Sequence, residues 1–188
     1  MLILVLGLVI FFAIHSVRMV AGDFRDSQVA ANERRWKGIY SLVSLIGFAL
    51  IVWGWILYRA EAPELYAPPD WGVNVNWAFT LVAFILFVVS GLPAGHLKHR
   101  LKHPMLVGTM LLTIGHLLAN GDMASVLTFG AFLVYSVVNF FAVIPRGDPA
   151  PTVQTIRSDI IAVAVGAVVF YVFGLWLHPI LFGVAPFA

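Results

Sequence analysis

The chain has 188 residues, no cysteine and a formal net charge of +2; 61% of its residues are hydrophobic and only 11% are charged. A soluble domain averages roughly 45–50% apolar and about 25% charged residues, so this composition places the chain in the membrane class and gives no footing for a nucleic-acid partner. Without cysteine there are no disulfides, thiolate ligands or cysteine nucleophiles, and a metal must be held by His, Met, Tyr or carboxylate.

Six apolar runs follow in order and predict an all-α, polytopic fold in one domain over residues 1–188. The first covers about 1–20 and is interrupted only by His15, Ser16 and Arg18. Its basic residue follows the apolar run instead of preceding it, which predicts a retained helix, not a cleaved leader. A polar stretch, 22–37, reads as a loop. The second span is 38–58, and a proline-rich, mildly acidic loop with Pro63, Pro68, Pro69 and Trp71 leads to the third, 77–95. Pro93 marks its exit, because proline cannot extend the hydrogen-bond ladder. Residues 96–103 form a basic loop. Pro104 suits the first position of a fourth helix, 104–119, where a missing N–H costs nothing. Asn120-Gly121-Asp122 predicts a tight turn into the fifth span, 123–144. A polar loop, 145–158, precedes the sixth span, 159–177, and the tail HPILFGVAPFA.

Charge supports this topology. With the N-terminus outside, Arg18, Arg25, Arg34, Arg35, Lys37, Lys98, Arg100, Lys102, Arg146 and Arg157 all lie at the cytoplasmic face, and Arg59 alone lies outside beside Glu61, Glu64 and Asp70. That asymmetry predicts six spans with both termini on the outer face. Within helix two, Ser44, Gly47 and Gly54 share one face and predict close helix packing.

Histidine in a membrane span is costly and is by default a functional hypothesis. The topology gives each one a depth. His15 lies about five residues, roughly 7 Å, from the inner end of helix one. His103 heads helix four at the same inner level. His116 is thirteen residues further along, roughly 20 Å deeper, so His103 and His116 cannot bind one ion from a straight helix. His116 either lines the outer half of the bundle or hydrogen-bonds a neighbouring helix. His96 and His99 read as solvated loop residues, and His178-Pro179 as an interfacial helix end. Arg18 stands one turn beyond His15, where it either neutralises a bound anion or snorkels to the interface.

The order and spacing of several short motifs resemble the NnrU family of integral membrane proteins. They are His15-Ser16, the run Arg35-Trp36-Lys37-Gly38-Ile39-Tyr40-Ser41-Leu42-Val43-Ser44-Leu45, then Lys102-His103-Pro104, and His116 followed by Asn120-Gly121-Asp122. The family name refers to nitrite and nitric oxide reductase expression in denitrification. The 15-cis-zeta-carotene isomerase, a membrane haem b protein, is similar to this family. Its haem histidines lie in a His-Ser and an Arg-His-Pro stretch, which correspond here to His15 and His103. The resemblance therefore implies haem b held by His15 and His103, with Arg18, Arg100 and Lys102 available to its carboxylates. It also implies a redox-linked, isomerase-like activity on a hydrophobic, membrane-dissolved substrate. This chain has Lys102 in place of arginine and no cysteine for a ligand exchange.

Two other classes fit parts of the pattern. A His-Pro entry to a membrane helix is similar to isoprenylcysteine and phospholipid methyltransferases, which bind S-adenosylmethionine and carry an acidic residue in a later helix. Residues 123–144 contain no Asp or Glu. A non-catalytic membrane assembly factor is the third class.

Overall fold

The computed structural model describes residues 1–146 and 149–187. Gly147, Asp148 and Ala188, which belong to the expected 145–158 loop and the C-terminal tail, lie outside the described residues. The elements are all helical: α1 (Leu2–Val20), α2 (Gly22–Arg59), α3 (Gly72–Gly91), α4 (His96–Leu101), α5 (Pro104–Ala119), α6 (Met123–Val143) with a 3₁₀ turn at Ile144–Arg146, and α7 (Arg157–Val172), which continues through a π-helical Phe173–Leu177 into α8 (His178–Phe182). Among the described residues no strand forms; Glu64 and Asp122 make one isolated antiparallel bridge. Five helices are long and apolar enough to cross a membrane, with α7 to α8 counted as one, and α5 is a shorter apolar helix. The number of spans is therefore five or six.

The expected loop at 22–37 is a helix. It is polar but has no proline, and it carries three Arg, two Ala, Gln28, Glu33 and Lys37, all good helix formers. Polarity signalled exposure to water, not a lack of helix. The backbone leaves helical geometry once, at Asn32 (φ −164°, ψ 96°). There the Asn32 side chain accepts a hydrogen bond from Arg35 N–H at 2.9 Å, as an N-cap does, and the helix restarts toward the membrane. Phe24 packs edge-on against Trp36 across this break.

Three other boundaries shift. The basic loop at 96–103 contains the six-residue α4. Helix α3 starts at Gly72 and ends at Gly91, two residues before Pro93. The last span begins at Arg157 and runs past Leu177 to Phe182. Pro179 sits inside it, and the preceding π turn gives the ring the room that an α-turn carbonyl would occupy. Helix α5 occupies Pro104–Ala119 with proline at its start, as the sequence predicts.

By contacts the chain forms two compact units, Met1–Pro63 and Glu64–Ala188. In the first, α1 packs along α2. Lipid tails provide no hydrophobic drive between helices, so close van der Waals approach must do the work. The glycines supply it. A Cβ on Gly7 would lie 2.6 Å from Ile51 N, and one on Gly47 2.8 Å from Phe11 N. A Cβ on Gly54 would overlap the Leu4 backbone.

In the second unit α3 packs on α5 and α7, and α6 packs on α5. Gly108 and Gly115 of α5 meet Ala83, Phe87 and Asn76 of α3, and Gly166 of α7 meets the Ile85 backbone. The segment before α3 is latched to the α5–α6 turn. Tyr66 donates its hydroxyl to the carbonyls of Leu117 and Asn120, and Leu65 N–H donates to Gly121 O at 2.9 Å. These bonds satisfy carbonyls that the end of α5 leaves without helical partners. Desolvation, with the negative charge of Asp122, holds the Tyr66 phenol above its ordinary pKa, so it stays a donor. Asp122 itself caps α6 by accepting from Ser125 N–H at 2.9 Å.

Candidate functional site

His15 is half-buried in the last third of α1. Its Nδ1 lies 2.7 Å from the Phe11 carbonyl oxygen, one turn back. A carbonyl only accepts, so Nδ1 carries the proton and the lone pair is on Nε2. That is the tautomer in which an imidazole binds a metal through Nε2, with its orientation fixed from behind. The ring is also held sideways. Phe11 stacks on it at 4.0 Å and 22°, and Tyr40 of α2 packs at 5.1 Å and 58°. Arg18 is exposed in the last turn of α1.

One turn from Tyr40, Ser44 presents a hydroxyl on the same face of α2. Its Oγ is buried and has no hydrogen-bond partner among the described residues. A buried hydroxyl left so costs about 1–3 kcal/mol.

In the second unit, His103 is half-buried immediately before α5. It is delivered by an unusual turn. Lys102 has φ 57° and ψ −48°, and His103 N–H donates to Leu101 O at 2.6 Å. This is the rare γ-turn with positive φ, a strained geometry. A side chain other than glycine in such a region costs on the order of 1–3 kcal/mol, and strain of this kind collects at functional sites. Arg100 and Lys102 are exposed on either side of the turn.

The α4 segment that carries these residues is tied down at several points. The Asp159 carboxylate of α7 accepts from His96 N–H at 2.7 Å and Leu97 N–H at 3.2 Å, capping α4 from a distant part of the chain. Lys98 Nζ donates to the carbonyls of Ser90 and Leu92, both at 2.8 Å, closing the end of α3. His99 Nδ1 donates to Pro151 O at 2.9 Å. His96 and His99 therefore belong to a tethered segment, not a free loop.

His116 occupies the far end of α5. It stacks on Phe129 of α6 at 4.3 Å and 29°, with Nδ1 donating to Leu112 O at 2.8 Å. The thirteen helical residues back to His103 span roughly 20 Å. His178 Nδ1 donates to Val184 O at 2.7 Å beside Phe182.

The structure thus gathers His15 and Arg18 in one unit and Arg100, Lys102 and His103 in the other. Sequence reasoning passed over Tyr40 as a neighbour of His15, and it passed over Asp159. Tyr40 stands in a quoted motif, and antiparallel pairing of α1 with α2 was the signal that would have placed it opposite His15. Asp159 left no local signal, because it acts on residues 62 and 63 positions away.

The long apolar helices are those of an all-helical membrane protein. The chain belongs to the NnrU family, whose model, described as NnrU protein, matches residues 3–186. No curated protein and no solved structure shows a significant match.

Proposed function

We propose that the chain is a haem b-binding protein of the bacterial inner membrane, with His15 and His103 as the axial ligands. The observation that carries this is the His15 geometry. Its Nδ1 proton is committed to Phe11 O, and its ring is packed between the rings of Phe11 and Tyr40. Neutral imidazole in such surroundings is the usual axial donor to haem iron. Among the described residues no three His, Cys, Asp or Glu side chains form a metal-binding group. A prosthetic group that brings four ring nitrogens of its own needs only one or two protein ligands, which suits this donor set.

The strained Lys102 turn supports His103 as the second ligand, since it fixes where that side chain leaves the backbone. Arg18, Arg100 and Lys102 are the cations for the haem carboxylates, through charge-assisted hydrogen bonds. Haem when bound supplies one-electron redox chemistry. His15 and His103 would hold the iron, and burial around them would set its potential. Membership of the NnrU family fits a membrane protein linked to denitrification. A substrate for such a site is hydrophobic and membrane-dissolved, and a redox-linked isomerisation is the activity that suits it.

The proposal includes a topology of six spans with both termini periplasmic, α5 being the shortest. Its 16 residues reach about 24 Å at 1.5 Å each, a little under the hydrocarbon thickness. Reporter fusions after Ala30 and Leu101 are expected to read cytoplasmic and one after Pro68 periplasmic. The opposite pattern would place His15 and His103 at the wrong face.

A further inference from the structure

We propose that Tyr40 and Ser44 of α2 complete the His15 site, Tyr40 as a positioning residue for the imidazole and Ser44 as a hydrogen-bond donor to a carboxylate of the bound group. The inference rests on the haem reading and extends it to a face of α2 that the ligand assignment leaves unused.

The placement follows from the helix pairing. Gly47 packs against the backbone of Phe11, and Tyr40 packs against the ring of His15. Phe11 and His15 are one turn apart on α1, and Gly47 and Tyr40 two turns apart on α2. Ser44 lies between them, on the α2 face that α1 covers and between the levels of Phe11 and His15.

Ser44 differs from other buried hydroxyls of the chain. Thr113 donates to Thr109 O at 2.8 Å, Thr128 to Ala124 O at 2.8 Å, and Ser136 to Phe132 O at 2.7 Å. Each returns its proton to its own helix. Ser44 is only half-buried as a residue, but its Oγ is shut off from solvent and makes no such bond among the described residues. A hydroxyl next to an anchored imidazole, with its proton uncommitted, is arranged for an acceptor that arrives with a ligand. Haem b offers two propionate carboxylates as that acceptor.

Tyr40 acts through His15. The bond to Phe11 O fixes one edge of the imidazole, and the two rings limit its rotation about the Cβ–Cγ bond. The direction of Nε2 is therefore set before any ligand binds.

The test uses the full chain in detergent, with and without haem b. In the haem-free protein, Ser44→Ala removes an orphaned buried hydroxyl, so the melting temperature is expected to rise. In the loaded protein the same change removes a ligand contact, and haem is expected to dissociate several-fold faster. A purely structural serine cannot give these opposite signs. Tyr40→Leu is expected to convert part of the six-coordinate spectrum to five-coordinate, whereas Tyr40→Phe keeps the wall and the wild-type spectrum. If Ser44→Ala leaves haem dissociation unchanged and Tyr40→Leu leaves the spectrum unchanged in a haem-loaded protein, this assignment falls and the haem reading stands. A wild-type chain that takes up no haem removes both.

Discussion

Replacing both His15 and His103 by alanine is expected to abolish haem binding while the chain still inserts. Each single change is expected to convert a six-coordinate spectrum to a five-coordinate one and to weaken haem retention by at least tenfold. The expectation rests on chemistry at each position. His15 presents Nε2 because Phe11 O holds the Nδ1 proton. Alanine there leaves an apolar surface with no donor to iron. His103 leaves the backbone at the strained turn centred on Lys102, which fixes where its side chain starts. His116→Ala is the control within the same experiment. That ring stacks on Phe129 roughly 20 Å along α5 from His103, so its loss is expected to leave the spectrum intact. His96→Ala and His99→Ala are expected to leave it intact as well. A double mutant that inserts normally and keeps the wild-type spectrum would put the haem elsewhere.

The second large effect is on stability. Gly54→Val is expected to separate α1 from α2. The added Cβ would occupy the space of the Leu4 backbone, and backbone cannot rotate away as a flexible side chain can. Overpacking of this kind costs about 1–3 kcal/mol, which for a chain of this size lowers the melting temperature by roughly 2–12 °C. Gly38→Ala and Gly130→Ala provide the contrast. A Cβ at either position meets nothing within 4 Å, and both changes are expected to be neutral or mildly stabilising. Thermal unfolding in one detergent compares the three directly. Gly54→Val with a wild-type melting temperature would contradict the close approach of α1 and α2.

What the sequence made legible follows from which signals are local. The apolar runs located the long helices because hydrophobic composition alone decides membrane insertion. Pro104 located the start of α5, since a proline at the first helical position has a definite physical reason. Gly47 and Gly54 marked the packing face of α2 for a similarly local reason, although their partner Gly7 was not anticipated. The polar helix before Asn32 reads as a loop by its charges, whereas those charges only require water on one side. Helix α8 was missed because Pro179 looks like a terminator until a π turn accommodates it.

At the candidate site the residue types were legible and their conformations were not. His15, near the end of one apolar helix, and His103, at the head of another, stand out as costly residues. The positive φ of Lys102, the anchored tautomer of His15 and the orphaned Ser44 hydroxyl depend on backbone geometry and on a partner helix, which spacing along the chain does not encode. The tether of α4 to Asp159 depends on a contact across 62 and 63 positions, so it too was invisible.

The most direct measurement is the absorption spectrum of the full chain purified in mild detergent after expression with adequate haem supply, recorded oxidised and then reduced. The expected result is a Soret band that shifts on reduction, with the sharp visible bands of a six-coordinate, bis-histidine haem b. A colourless protein that stays colourless when haem b is added would contradict it.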